Sequence, residues 1–149
     1  MTDKKQKKAA PPSPENVYHR LTGEDADVAA RDGVLYRWTG SFWAAQDVMV
    51  EESRAFRWLQ TQYPDKATPP LARRCVEAAV MGATPLPAPA KSAVVLPLQN
   101  VYLHVDTKTG ATKTLAPDKA IGLTYQIACN YDPNAQAPRF GQFLWTPSL

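Results

Sequence analysis

Arginines alternate with aromatic residues in two short segments of this chain. Arg37-Trp38 lies close to Phe42-Trp43, and the segment 54–58 reads RAFRW. Such sets suit single-stranded nucleic acid, because base rings stack on flat side chains while guanidinium groups hold phosphates. The residues that we predict to contact nucleic acid are Arg37, Arg54, Arg57, Trp58, Arg73, Arg74, Arg139, Lys4, Lys5, Lys7 and Lys8.

These residues also have structural interpretations. Trp58 is the aromatic residue that we expect outside the core, where its spacing of four residues from Arg54 allows a cation–π contact. Arg73-Arg74 can form a solvated helix face, and Arg139 can pair with Asp132 instead of a phosphate. The aromatic residues that can fill a core between sheet and helix are Trp38, Phe42, Trp43 and Phe56.

Catalytic and metal-binding signatures are scarce in this chain. His19 and His104 lie far apart, and neither has cysteine or carboxylate neighbours at metal-ligand spacing. The chain contains no Gly-x-Ser-x-Gly elbow and no Cys-plus-His catalytic signature. We also expect no Asp-x-Asp pair of the kind with which polymerase-like primases hold two metal ions. We therefore predict a protein that is not an enzyme by these residues alone and that uses no cofactor or metal.

The positive charge of the chain is concentrated at its start. The net charge is +3, and residues 1–8 supply all of it with Lys4, Lys5, Lys7 and Lys8 against Asp3; the other 13 basic and 13 acidic residues cancel. Residues 1–12 are polar and lack periodicity, which predicts a disordered basic tail. That tail either keeps the protein soluble or adds salt-sensitive phosphate contacts on DNA.

Hydropathy and cysteine usage favour a cytoplasmic protein. No run approaches the 18 or more apolar residues of a membrane span, and the lysine-rich start is followed by Ala-Pro-Pro. The two cysteines, Cys75 and Cys129, fall in apolar runs, where free thiols behave as small hydrophobic groups. We expect no membrane partner and reduced thiols, with a disulfide as the less favoured alternative.

Two structural units and a spacer are predicted, within an α+β fold. Residues 13–82 read as a helix from Ser13-Pro14, a meander of three strands and two further helices. The proline-rich residues 83–92 form a spacer, and the prolines between 85 and 97 argue against regular structure there. Residues 93–149 predict a hairpin, a turn and a C-terminal helix that share one compact domain with 13–82. The predicted strands and helices of the first unit are 28–30, 34–38 and 41–45, then 48–63 after Asp47 and 69–82 after Thr68.

Residue alternation predicts which side chains face the core. In the second strand, Tyr36 and Trp38 share the buried face and Arg37 points away. In the hairpin, the alternation places Leu103 on the buried face and Tyr102 on the polar one. The helix after Asp47 has an apolar face through 48, 52, 55, 56, 59 and 63, whereas residues 51, 54 and 57 fall largely elsewhere.

The hairpin unit carries an ordered set of motifs. Asn100 opens a short strand, Thr109-Gly110 turns it, and residues 111–115 return as its partner. Residues 123–130 read as another strand, and residues 131–138 then read YDP-x-A-x-x-P. An aromatic helix is predicted from Pro138, with Phe140, Phe143 and Leu144.

This order resembles the domain that precedes the motor in primase–helicases of phages, plasmids, satellite phages and poxviruses. The similarity covers residues 96–144, about a third of the chain, and is strongest over 130–144. The family usually has Asn-Gly where this chain has Asn100-Val101. The resemblance implies a non-catalytic module that binds DNA or docks to replication proteins beside a ring-forming helicase, with single-stranded or forked DNA as partner.

A second hypothesis is a stand-alone protein of a mobile element that acts by binding another protein. The helicase motor of the resembled family has a Gly-x-x-x-x-Gly-Lys-Ser/Thr phosphate loop, which these residues lack. The electrically neutral body of the chain also favours a protein partner over nucleic acid. The two hypotheses predict different behaviour, because only DNA binding through phosphates is strongly salt-sensitive.

Overall fold

The computed structural model describes residues 11–88 and 94–136. Within them lie three α-helices and two small sheets, one of four strands and one of three. The pairings are antiparallel apart from one short parallel pair and an isolated bridge. This arrangement confirms the predicted α+β class. The lysine tail over residues 1–8, the centre of the spacer, and the predicted C-terminal helix with Arg139 lie outside the described residues.

The helices begin where the sequence predicts them, because each has a capping side chain. Helix α1 (Pro14–Tyr18) follows Ser13 and continues into a π-helical turn, His19–Gly23. Helix α2 (Val48–Gln62) begins after Asp47, whose carboxylate accepts the amides of residues 49 and 50 at 2.8 and 3.1 Å. Helix α3 (Pro69–Gly82) begins after Thr68.

The first sheet is the predicted meander with one added strand. Strands β1 (Val28–Arg31), β2 (Val34–Trp38) and β3 (Trp43–Ala45) pair in antiparallel order. Strand β4 (Thr84–Pro85) then lies parallel to β1 at the other edge. The spacer prediction is therefore wrong at this point, because an edge position tolerates a proline that cannot donate to a ladder.

Both faces of the first sheet are covered. The helices pack on one face around Val28 and Leu35, and Leu59 and Cys75 complete this larger core. The opposite face carries a smaller cluster of Ala29, Trp43 and Leu86, against which Tyr36 and Trp38 pack.

The predicted orientation of β2 is wrong. Leu35 and Arg37 face the helices, while Tyr36 and Trp38 lie on the smaller cluster. Alternation correctly separated the two sets of residues. It assigned the wrong set to the helical core because both faces of the strand are apolar and partly buried.

The second sheet contains the predicted hairpin and one further strand. Strands β5 (Val94–Pro97), β6 (Tyr102–Val105) and β7 (Thr112–Leu115) pair in antiparallel order. The proline-based argument against regular structure is therefore also wrong for β5. The strand predicted over residues 123–130 is absent from the described structure, where Ile127 forms only an isolated bridge with Leu98.

The turn between β6 and β7 forms as predicted, but the most buried side chain of β6 lies on the face that was predicted to be polar. The Asp106 carboxylate accepts the amides of Lys108 and Thr109 at 2.8 and 3.2 Å, and these bonds lower its pKa. Tyr102, which was predicted on the polar face, is fully buried. Its hydroxyl donates to the backbone oxygen of Ser41. This bond satisfies the polar end of the ring, so the whole side chain can be buried.

Hydrogen bonds from Trp43 join the first sheet to the segment that follows β7. The indole nitrogen of Trp43 donates to the Lys119 carbonyl at 2.9 Å, and the Trp43 amide donates to the Leu123 carbonyl at 2.8 Å. Lys119 begins a short 3₁₀ helix, Lys119–Ile121, that ends at Gly122 in a left-handed conformation, directly against the Pro87 carbonyl. The two predicted units are therefore packed against each other.

Two motifs of the hairpin unit meet in space. The side chain of Asn100 accepts the Tyr131 amide at 2.8 Å and donates to the Tyr131 carbonyl at 3.0 Å. The predicted turn at Asp132-Pro133 follows, with the Asp132 carboxylate accepting the Asn134 amide at 2.8 Å. An asparagine and a YDP segment separated by thirty-one positions are thus parts of one local structure.

We expect Gly122→Ala to lower the free energy of unfolding much more than Gly110→Ala. Both glycines have φ near +73°, so either alanine meets the left-handed penalty of about 1–2 kcal/mol. Only at position 122 would the new Cβ lie 2.0 Å from the Pro87 carbonyl oxygen, which adds about 1–3 kcal/mol of overpacking. Urea denaturation of both variants measures the difference, and equal losses would show that this junction does not constrain the fold.

Candidate interaction surface on the helical layer

Two of the predicted site arginines hold a buried carboxylate. Glu51 is only 1% exposed. Arg37 donates to it through Nε at 3.1 Å and Nη2 at 2.9 Å, and Arg54 donates through Nη1 at 2.7 Å. The hydrogen bond with Glu51 raises the pKa of the Arg37 guanidinium. Both arginines therefore support the fold and are not simply displayed to a ligand.

The sequence prediction missed Glu51 because it treated a carboxylate as a solvent-facing residue. Residues 51, 55 and 59 are nonetheless four apart, and all three are buried on the same stripe of α2. Val48, which was assigned to the apolar face, is 58% exposed. An arginine at position 37 of the neighbouring strand was the available signal that the stripe could include an acid.

Trp58 is partly buried, so the prediction that it lies outside the core is wrong. Its ring lies 5.1 Å from the ring of Tyr18 in an edge-on arrangement and 5.5 Å from the ring of Tyr63. Arg54 points to Glu51, and the predicted platform between Arg54 and Trp58 is replaced by these contacts. Trp43 is buried and Trp38 packs on it at 5.5 Å, but both lie on the face of the first sheet opposite to the helices and not in the predicted core between sheet and helix.

The other predicted site arginines in the described residues, Arg57, Arg73 and Arg74, lie on the outer surface of the helices. Arg73 pairs with Glu52 of α2 at 3.2 Å, and Arg74 pairs with Glu15 of α1 at 3.4 Å. Arg57 is exposed and donates to the Ser53 carbonyl of its own helix at 3.3 Å. The two ion pairs agree with the interpretation of Arg73-Arg74 as a solvated helix face. In each pair, an arginine that was predicted to contact phosphate is held by an acidic side chain of a neighbouring helix.

A groove runs along the seam between α2 and α3. Its larger depression, of about 600 Å³, has Met49, Phe56, Arg57, Pro69 and Ala72 in its wall. A smaller depression, of about 270 Å³, adjoins it, and Glu52 borders both. The other residues that line the smaller depression include Val48, Arg73, Val76, Glu77, Val80 and Met81. We call the two depressions together the seam groove.

The seam groove exposes large apolar side chains. Met81 is 87% exposed, Met49 64% and Val48 58%. The two depressions meet at the Glu52–Arg73 ion pair, and Arg57 and Glu77 add one further charge of each sign. The surface is therefore apolar along its length and electrically balanced at its rim.

The two cysteine thiols and the Asp25–Asp27 pair differ in their surroundings. Burial raises the pKa of the Cys75 thiol to about 11, which makes it a poor nucleophile, while Cys129 is an exposed free thiol. The expectation that the chain lacks an Asp-x-Asp pair is wrong, because Asp25-Ala26-Asp27 is such a pair. Here the Asp25 carboxylate accepts the Asp27 amide at 2.9 Å, and Asp27 pairs with Lys119 at 2.5 Å.

Within 11–88 and 94–136, no three histidine, cysteine or acidic side chains are grouped so that they could hold a metal ion. No helix in the same part of the chain has the length and apolar character to cross a bilayer.

Comparison with known proteins leaves the family open. No protein-family model matches the chain. No curated protein matches it significantly either. The resemblance to the domain before the motor of primase–helicases therefore stays a prediction based on the motifs between Leu96 and Leu144.

We expect Glu51→Gln to destabilise the protein far more than Glu52→Gln at the next position. Loss of the Glu51 charge leaves two arginines without their buried counter-ion, and we expect a cost of about 2–3 kcal/mol because both arginines keep some access to water. Glu52 pairs with an arginine that is 67% exposed, so its replacement should cost less than about 1 kcal/mol. Urea denaturation checks both values, and similar losses would contradict a structural role for Glu51.

Proposed function

We propose that this chain is a non-catalytic docking module that binds another protein chain through the seam groove. The observation that carries the proposal is the exposure of Met49, Val48 and Met81 along two adjoining depressions. Exposed apolar surface that is continuous and rimmed by polar groups is typical of protein interaction sites. Methionine suits such a surface because its flexible side chain adapts to the partner.

The charges around the seam groove also support a protein partner. Nucleic-acid sites are strongly basic, whereas this rim carries Arg57 and Arg73 against Glu52 and Glu77. The aromatic rings that would stack on bases are engaged in the protein, since Trp58 and Trp43 pack against other rings. The docking hypothesis therefore requires fewer rearrangements than base stacking does.

The resemblance adds a biological setting to the proposal. A docking module beside a ring-forming helicase would connect a replication protein of a mobile element to its partners in the cytoplasm. The hydrogen bonds between Asn100 and Tyr131, which join two of the resembling motifs, support the idea that these motifs form a single structural unit.

Photo-crosslinking at the seam groove tests the docking function directly. We would place p-benzoylphenylalanine at Met49 or Met81 of the full chain, and at Leu21 as an exposed apolar control that is 59% exposed. In cells that naturally produce the protein, we expect protein adducts from positions 49 and 81 that the control position does not give. Mass spectrometry identifies the adducts; equal labelling from position 21, or none from the groove, would reject the proposed surface.

DNA binding is a second candidate function, favoured by the arginines that remain at the surface. Arg57, Arg73 and Arg74 are exposed, and ion pairs at a surface contribute only about 0–1 kcal/mol, so phosphates can compete with Glu52 and Glu15. The four lysines of residues 1–8 add to this charge. Contacts of this kind would bind the backbone and not the bases.

Fluorescence anisotropy with labelled oligo-dT and its duplex at two salt concentrations tests this candidate. Arg57→Ala with Arg73→Ala is the appropriate variant, because Arg54 supports Glu51 and its loss would disturb the fold. If the helices bind DNA, the variant should lower the affinity and reduce the slope of log affinity against log salt by about two. A chain that lacks residues 1–12 is the control; binding that disappears with the tail alone, or no binding at all, would contradict a DNA site on the helices.

A further inference from the structure

We propose that the seam groove binds the same groove of a second copy of this chain, so that two chains form a symmetric dimer. The inference rests on the proposed docking function and names the partner. A two-fold interface requires a surface that complements itself in shape and in charge. The seam groove meets both requirements.

The shape of the seam groove provides a protrusion and a matching depression. Met81 is 87% exposed at the end of α3, beside the smaller depression. The larger depression extends from Met49 to Phe56 and Pro69, and so reaches past Glu52 towards the other end of the seam. A two-fold axis in the interface, near the Glu52–Arg73 pair, places each end of one seam over the opposite end of the other. Met81 of each copy then enters the larger depression of its neighbour.

The charges of the rim follow the same symmetry. Glu77 lines the smaller depression four positions before Met81, and Arg57 lines the larger one. The arrangement that inserts Met81 brings Glu77 of each copy towards Arg57 of the other, so both symmetry-related contacts join opposite charges. A rim with equal numbers of positive and negative groups does not attract a strongly charged ligand. Its charges are, however, complementary to those of a second copy of the same rim.

The size of the seam groove predicts a weak dimer. Helices of 15 and 14 residues are roughly 21 Å long at 1.5 Å per residue. Two such helices about 10 Å apart present a footprint of roughly 400 Å², about half of the 800 Å² per partner in standard interfaces. Association should therefore depend on concentration, with a dissociation constant in the micromolar range or weaker.

Sedimentation velocity of the full chain is the first test, over a hundredfold concentration range up to about 300 µM, where a weak dimer of this size would form. About 0.15 M salt limits attraction between distant charges. We expect a monomer–dimer equilibrium that Met81→Glu abolishes. Met81 is almost fully exposed, so this variant should keep its melting temperature, and Leu21→Glu should leave the equilibrium unchanged.

Charge reversal distinguishes this interface from general association. Glu77→Arg alone places two positive residues at each rim contact, and Arg57→Glu alone places two negative ones, so each variant by itself should dimerise at least about tenfold more weakly. An equimolar mixture of the two variants restores opposite charges at both contacts and should recover the wild-type affinity. Glu24→Arg mixed with Lys113→Glu carries the same net charges away from the groove and controls for their overall attraction.

Three outcomes would overturn the inference: a wild-type chain that stays monomeric, single variants that dimerise like the wild type, or a control mixture that gains affinity as much as the test mixture does. A monomeric chain that is nevertheless crosslinked from position 49 to a different protein would overturn the second copy as partner and leave the docking function supported. The absence of any adduct from the groove would instead reject the docking function itself.

Discussion

The buried carboxylate of Glu51 determines how helix and sheet fit together in this protein. An ionised group inside a protein is costly unless it is paired and fully hydrogen-bonded, and Arg37 from β2 and Arg54 from α2 meet that requirement. The Arg37 contact is bidentate, so it fixes the angle as well as the distance between strand and helix. The rotation of α2 about its own axis is thereby set.

The rotation of α2 in turn decides which residues reach the outer surface. At 100° per residue, Met49 and Phe56 lie on the side of the helix opposite to Glu51. With Glu51 turned inward, Met49 lies on the seam with α3, where Phe56 and Ala72 border the larger depression. The candidate interaction surface is therefore a consequence of the buried ion pairs, which hold the opposite side of the same helix.

Trp43 plays a corresponding role between the first sheet and the segment that follows the second sheet. Its ring is buried against Ala29 and Leu86, while its two nitrogen atoms donate to backbone carbonyls around the short helix at Lys119. Tyr102 adds a bond from the second sheet to Ser41, just before β3. The segment that follows the second sheet is thereby attached to the face of the first sheet that the helices leave open, and a meander that would be marginal alone becomes part of a larger structure.

Local sequence signals determined much of the fold, because many of its elements depend on contacts within a few residues. These elements are the helix caps at Ser13, Asp47 and Thr68, the meander, the hairpin around Thr109-Gly110 and the turn at Asp132-Pro133. Burial was decided by tertiary structure, because the same alternation in β2 fits either face when both are covered. Three side chains are buried because of partners far away in the sequence. Trp58 packs on Tyr18, Tyr102 bonds to the Ser41 carbonyl, and Glu51 pairs with Arg37. The sequence alone identified the arginines, but only the fold shows that acids hold four of them and that an apolar seam remains exposed.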